Sequence, residues 1–358
     1  MDDPDYFRQA VKILINAWHD LESPRAGGSE VVIDRLATEL TIHGNDVTLS
    51  VPGPIGNHAY KTVRSGGFYS QFLRAPFNYF RNARNATVVI DVINGLAFFT
   101  PLWRRKKPTI AFIHHIHDEQ WSDSYGWFVA TVGRFLELRV MPRVYSEFVT
   151  VSNSTKEDLE RHGVDPSRIT VVPNGVDEAP PGINPAKSET PLFVAVARLV
   201  PNKRVEKLLS VWAEVQEQTG GRLVIIGSGP LLDELQADMP PNCEFLGHIS
   251  DDERDQLLAS SWLHLMTSRR EGWGLVILEA ARVGTPTLAR NVPGVRDAIV
   301  NEKTGMLAES DDEMVKLWIE LVGDPAHLHE LGEAALVRSR SFTWTRSTQG
   351  LEWVLQGA

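Results

Sequence analysis

The feature that most constrains this chain is a rhythm. Short apolar runs rich in β-branched residues recur, each followed by a polar loop and a stretch with helical spacing. In the first half, residues 11–17, 47–51, 61–64, 88–92, 109–113, 144–151 and 169–172 read as strands. Helices follow Gly27 and span 69–82, 96–103, 126–139 and 156–162, the last capped by Asn153 or Ser154. The rhythm breaks over residues 178–190, where Pro180, Pro181 and Pro185 leave no periodicity. It then restarts, with strands at 192–197, 222–226, 243–245, 262–266 and 286–289. Helices are expected over 205–219, 251–259, 275–283, 312–322 and 326–338, while 291–294 and 301–305 read as loops. Alternation of this kind makes a mostly parallel sheet with helices on both faces. The expected architecture is α/β: two doubly wound domains, residues 1–180 and 181–340, facing a central cleft. An amphipathic helix over 341–358 is expected to pack back across the boundary. A length of 358 residues suits two domains better than one.

Composition narrows the class. Cys243 is the only cysteine, which excludes an intramolecular disulfide framework and a cysteine-based zinc site. The opening residues, Met-Asp-Asp-Pro-Asp, lack the basic-then-apolar order of a signal peptide. No apolar run approaches the roughly 20 residues needed to span a bilayer. A cytoplasmic protein is the expectation. The net charge of −10 gives no reason to expect a nucleic-acid partner. Within residues 61–107, however, the balance inverts. Lys61, Arg64, Arg74, Arg81, Arg84, Arg104, Arg105, Lys106 and Lys107 face only Asp91, and Phe68, Tyr69, Phe72, Phe77, Tyr79 and Phe80 interleave with them. An anionic membrane at the inner face of the cell, met peripherally, or a phosphorylated acceptor would suit such a stretch. A solvated face over ordinary core aromatics would produce it too.

Two stretches of the first half carry chemistry. Gly27-Gly28-Ser29-Glu30 joins the first strand to a helix and turns the amides of a helix start toward any anion. Its spacing is not the Gly-x-Gly-x-x-Gly of dinucleotide sites. At the end of strand 109–113 lies His114-His115-Ile116-His117-Asp118-Glu119. Ligands of open α/β sheets collect at the carboxyl ends of strands, so a histidine there can bond a substrate or move a proton. We take His115 as the working residue ahead of His114. Adjacent histidines diverge on an extended backbone and no His-Glu-x-x-His spacing is present, so no metal site is expected.

Three stretches of the second half converge on one ligand type. Arg198 and Lys203 follow a strand end, where two cations can clamp a diphosphate and offset charge on a departing phosphate. Gly227-Ser228-Gly229-Pro230 lies between a strand and a helix and permits close backbone approach to a ligand. Residues 268–279, Ser-Arg-Arg-Glu-Gly-Trp-Gly-Leu-Val-Ile-Leu-Glu, end a strand and open a helix. Gly272 and Gly274 bring helix-start amides to the ligand, and Glu271 and Glu279 flank them as acceptors for sugar hydroxyls.

With these residues in view, the chain resembles the retaining glycosyltransferases of family GT4, which have the GT-B architecture of two Rossmann-like domains. The resemblance covers nearly the whole sequence. It is carried by the Gly-Gly-x-Glu loop at Gly27–Glu30, by Ser152–Thr155, by Val-Pro-Asn-Gly-Val-Asp at 172–177 and by the Arg198/Lys203 pair. Most specific is Glu-Gly-x-Gly-Leu-x-x-x-Glu at 271–279, followed by Gly284-Thr-Pro-Thr. The position often held by Phe is Trp273 here. The resemblance implies that Arg198 and Lys203 bind the donor diphosphate, with Gly28 and the amides of Gly274 and Leu275 completing the cradle. It implies that Glu279 holds the ribose, that Glu271 and His115 contact the transferred sugar, and that residues 247–249, Ile249 among them, lie by the base. The Gly27, Gly229 and Gly272 backbones belong to the same expected site. The implied reaction is metal-independent transfer of a hexosyl unit from a UDP- or GDP-sugar to an acceptor hydroxyl with retained configuration. No cofactor beyond the donor is expected.

The acceptor is open: a sugar, a lipid-linked molecule or another small molecule would fit, as in glycolipid or cell-surface polysaccharide synthesis. A nucleotide-sugar epimerase on the same fold and a non-catalytic nucleotide-sugar-binding protein are the alternatives.

Overall fold

The computed structural model describes residues 10–53, 55–104, 107–118, 120–124, 126–184 and 186–357. Arg105, Lys106, Glu119 and the acidic opening residues lie outside them. The chain forms two compact units, Met1–Gly175 with Trp344–Ala358, and Val176–Thr343.

The first unit holds a seven-stranded sheet. Its strands are β1 (Lys12–Asn16), β2 (Asp46–Val51), β3 (Lys61–Arg64), β4 (Val88–Ile93), β5 (Thr109–Ile113), β6 (Glu147–Thr150) and β7 (Ile169–Val171). All pair in parallel, in the order β3-β2-β1-β4-β5-β6-β7. β4 and β5 are buried along their whole length, which is why they are near-continuous apolar runs. The exception is Asp91 in β4, fully buried. It accepts from Asn16 Nδ2 at 2.9 Å, Thr100 Oγ1 at 2.8 Å, the Thr100 amide at 3.2 Å and the Tyr145 hydroxyl at 2.5 Å. Burial raises its carboxyl pKa against the pull of those bonds. The last helix, Trp344–Gly357, packs on helix Gly28–Ile42 of this unit. There Glu352 accepts from Asn45 Nδ2 at 3.2 Å and meets His43 Nδ1 at 3.1 Å.

Several local expectations are corrected. The helix expected over 69–82 is α-helical over Ser70–Asn78 and closes in a π turn, Tyr79–Ala83. That over 126–139 is α-helical over Trp127–Phe135, followed by a π turn at Leu136–Val140 and a short helix at Met141–Val144. A π turn inserts one residue and rotates the apolar face without erasing its period, so periodicity hides it. Of 96–103 only Thr100–Trp103 is helical. The cap of helix Asn153–Arg161 is Ser152, whose Oγ accepts from the Thr155 amide, not Asn153 or Ser154.

The second unit holds six parallel strands: β8 (Leu192–Val196), β9 (Arg222–Ile226), β10 (Cys243–Gly247), β11 (Leu263–Met266), β12 (Thr287–Arg290) and β13 (Gly305–Ala308). Their order is β10-β9-β8-β11-β12-β13. β13 begins where a loop is expected; Gly-Met-Leu-Ala contains no β-branched residue to mark it. Residues Val295–Ala298, after the expected loop at 291–294, form one helical turn. Helices Val205–Thr219 and Asp311–Gly323 pack together over β8. Their Trp212 and Trp318 rings stack at 5.5 Å and Phe193 meets both edge-on. Fully burying each such side chain contributes roughly 1.5–3 kcal/mol.

Candidate active site

In the second sheet the chain runs outward from β8 through β9 to β10, then returns to the other side of β8 at β11. The loops after β8 and β11 therefore diverge from adjacent carboxyl ends, the place where open α/β sheets bind ligands. Arg198 and Lys203 lie on the first loop and Glu271–Gly274 on the second. A short 3-10 turn, Pro201–Lys203, and a left-handed Arg204 (φ 51°) shape the first loop. The two loops are stitched together. Asn202 Nδ2 donates to the Arg270 carbonyl at 2.9 Å, and the Arg269 amide donates to the Asn202 carbonyl at 2.8 Å. Thr267 Oγ1 reaches the carbonyls of Lys203 and Arg204 at 3.1 and 3.0 Å. Across this seam Lys203 Nζ donates to Glu271 Oε1 at 2.5 Å. Arg198 is exposed and has no side-chain partner among the described residues. The seam thus neutralises one cation and leaves one open to an anion.

The second loop is braced from behind. The Glu271 amide donates to the Pro293 carbonyl at 3.2 Å. Gly294 sits at φ +83°, and a Cβ there would lie 2.2 Å from the Glu271 carbonyl oxygen. Gly274, at φ +86°, caps helix Leu275–Ala281, and Trp273 turns inward onto Phe342 at 5.2 Å. Glu279 lies on this helix beside a charge cluster: Arg254 Nη2 is 3.9 Å away, and Arg254 and Arg282 both bind buried Asp255, at 3.0 and 2.6 Å. Burial raises the Glu279 carboxyl pKa, while Arg254 and Arg282 oppose it.

The glycines after β9 are required by the chain itself. A Cβ at Gly227 would lie 2.0 Å from the Ala197 carbonyl oxygen, and one at Gly229 would lie 2.4 Å from that of Leu199. The close approach they allow is to the chain's own β8 loop, bonded there through the Leu199 amide to the Ser228 carbonyl at 2.9 Å. Ile249 is half-buried and packs on the cluster that holds Val194 and Val224.

In the first unit the corresponding reversal lies between β1 and β4. Gly27 caps helix Gly28–Ile42, but its amide is already taken by Glu30 Oε2 at 2.8 Å, which also accepts from Ser29 Oγ. The Gly27 amide is therefore not an open anion donor. After β5, His114 is buried with its Nε2 unpaired among the described residues, and burial lowers its pKa to about 4, helped by the nearby His117. His115 is half-buried, with Nε2 3.3 Å from Gln120 Oε1 and its ring stacked on His117 at 4.4 Å. Among the described residues no group of three or more His, Cys, Asp and Glu is placed to hold a metal.

Residues 177–338 match the family model described as glycosyl transferases group 1, and residues 26–179 that of Glycosyltransferase Family 4. The chain belongs to the GT-B glycosyltransferases related to family 4. The D-inositol 3-phosphate glycosyltransferase of Nocardia farcinica is 29% identical over 233 residues, 56% of this chain and 51% of that protein. The sulfoquinovosyl transferase SQD2 of Arabidopsis thaliana is 32% identical over 168 residues, 45% of this chain and 32% of that protein. The chain spans about half the length of the first of these relatives. Among solved structures, the sucrose-phosphate synthase of Thermosynechococcus elongatus superposes with a TM-score of 0.80 at 17% identity, over 97% of this chain and 98% of that one. Anabaena Alr3699/HepE in complex with UDP and glucose gives 0.78 at 17%, over 97% and 100%. At such identity these likenesses show the fold.

Sequence reasoning misses the parts of this candidate site that act at long range. Asn202 and Thr267 bond through their side chains, and Pro293 through its carbonyl, to main-chain groups of other loops, and Arg254 and Asp255 come from another helix. Their identity as loop or helix polar residues carries no signal of those partners. The Pro-Gly of residues 293–294 is a turn signal in the sequence, but not a signal of what the turn braces.

Proposed function

We propose that the protein transfers a hexosyl unit from a UDP- or GDP-sugar to an acceptor hydroxyl, keeping the anomeric configuration. The observation that carries this is the Lys203–Glu271 seam with Arg198 open beside it, at the reversal point of the second sheet. In this reading Arg198 and Lys203 hold the donor diphosphate and stabilise it as it leaves. The amides at Gly272, Gly274 and Leu275, with those of Gly28 and Gly229, support the phosphates. Glu271 takes hydroxyls of the transferred sugar and Glu279 those of the ribose. Ile249 flanks the base, and His115 contacts the reacting face of the sugar. The acceptor oxygen attacks the anomeric carbon on the face the phosphate leaves. The bond to phosphate breaks, and the acceptor proton passes to a phosphate oxygen. We assign donor binding to the second unit and acceptor recognition to the first.

A UDP- and GDP-sugar screen with candidate acceptors, read by mass spectrometry, tests this. Release of nucleoside diphosphate with a product heavier by one hexosyl unit supports it. Epimerised donor without acceptor, or tight donor binding without turnover, replaces it by one of the alternatives.

For the acceptor side we propose an anionic or membrane-borne molecule, with peripheral contact at the cytoplasmic membrane face. Arg64, Arg74 and Arg81 are exposed, have no side-chain partner among the described residues, and line a groove of about 650 Å³ with Phe77. Tyr69, Leu73, Phe77 and Phe80 expose an apolar stripe alongside. Arg104 is not part of this surface. It is buried and donates to the carbonyls of Pro108, Ala86 and Thr87. Lys61 is paired with Asp46 at 3.3 Å. Cosedimentation with vesicles containing phosphatidylglycerol, weakened by salt, supports this contact. Equal binding to neutral vesicles would remove the electrostatic part.

A further inference from the structure

The loop that carries the strand-end histidines hangs on a buried carboxylate. Glu137 lies on the π turn Leu136–Val140 and is 2% exposed. Its Oε1 accepts from the His117 amide at 2.9 Å. Its Oε2 accepts from the Asp118 amide at 3.3 Å and from Trp121 Nε1 at 2.7 Å. His117 Nδ1 is 3.4 Å from Oε1. Asp118 has φ +34°, a conformation that a non-glycine residue keeps only when its surroundings impose it. Arg134, on the preceding helix turn, holds the same residue from its other side. Its Nη2 and Nε donate to Asp118 Oδ1 at 2.7 and 3.0 Å. Gly133 admits the Trp121 ring, since a Cβ there would lie 2.5 Å from it. One helix and its π turn therefore grip the bend at its backbone, its side chain and its following indole. π turns concentrate at functional sites because the inserted residue re-aims a side chain, and here the re-aimed residue is Glu137.

We propose that Glu137 is a positioning residue for His115. Through His117, whose ring stacks on that of His115 at 4.4 Å, and through the Asp118 bend, it fixes the orientation in which His115 meets the sugar. This rests on the role of His115 given above and adds the residue that sets its geometry.

Glu137→Gln keeps the volume but presents an amide NH2 toward groups that are themselves donors. The expected result is a fall in kcat of roughly tenfold to a hundredfold, the effect of displacing a group at the reacting centre by about 1 Å, with the donor KM unchanged. In a His115→Ala background the same substitution should change kcat no further. Additive losses would overturn the proposal, since a merely structural Glu137 would act whether or not His115 is present. Should Glu137→Gln not fold, Arg134→Ala loosens the same bend from an exposed position and enters the same cycle. If His115→Ala alone leaves activity intact, it is the role of His115 that fails. The histidine ring resonances then test the hold separately. Loss of the mutual ring-current shift of His115 and His117 in Glu137→Gln supports it, and an unchanged spectrum overturns it.

Discussion

The loops that carry the site are held by different kinds of group in the two units. In the second unit the loops after β8 and β11 are sewn to each other by uncharged groups, the Asn202 and Thr267 side chains and the Arg269 amide, that all donate to main-chain carbonyls, and Lys203 and Glu271 face each other across the seam. In the first unit the histidine loop depends on charged side chains of one helix and its π turn, chiefly Glu137 and Arg134, and the arginines of the groove have no side-chain partner among the described residues. Stitching onto main-chain carbonyls fixes the shape of the loops more than their charge. Side-chain grips and unmatched surface charge can change one residue at a time. The first arrangement suits a partner whose chemistry is constant, such as a sugar diphosphate, and the second suits one that varies.

The sharpest way to break the contrast is at the seam. Glu271→Ala or Lys203→Ala should lower kcat by roughly 10²–10³, the range seen when one stabilising group is removed from a developing charge; initial rates at saturating donor decide this. Close behind is Gly294→Ala, which forces a Cβ against the Glu271 carbonyl at positive φ. It should cost about 3 kcal/mol of stability by urea unfolding and weaken nucleotide binding in parallel.

A pH series asks whether the two sheets share a weakness. His114 in the first unit and His264 in the second are buried, and burial lowers their pKa to about 4 and about 3, from an ordinary 6.5. Each is neutral in the fold, whereas the unfolded chain takes up a proton below about pH 6.5. Their contribution is therefore complete above that pH and is lost as pH falls toward the folded values. Urea unfolding at pH 5 should show about 2 kcal/mol less per histidine than at neutral pH. His264→Gln should flatten the dependence for the second unit alone.

The smallest effect on the fold should come from the arginine groove. Reversing charge with Arg74→Glu and Arg81→Glu should leave stability within about 0.5 kcal/mol while abolishing binding to anionic vesicles. Unchanged cosedimentation would count against the proposed contact.

The sequence is most legible where one residue's chemistry suffices. Strands such as Thr109–Ile113 stand out because full burial demands an apolar run, Lys203 because it follows Arg198 in the loop after a strand, and Glu271 because it adjoins Gly272 after another strand. What stays hidden depends on register between distant segments. Gly227 and Gly229 are visible as glycines, but the approach of residues 197–199 that requires them is not. The Glu137 grip needs a π turn that no apolar period discloses. Arg104, one of a visibly basic run, turns out to be a buried clamp on carbonyls.

The return of the last helix to the first unit has a consequence for synthesis. A ribosome finishes Val176–Thr343 before it makes Trp344–Gly357, so the second unit can complete its fold while the first still lacks the helix that covers Gly28–Ile42. Until then the apolar face of that helix, with Leu36 and Leu40 on it, stays open on a nascent chain. The last unit to mature is the one begun first. Holdase chaperones should therefore be captured on ribosome-stalled chains ending before Trp344 and released from chains stalled well past it.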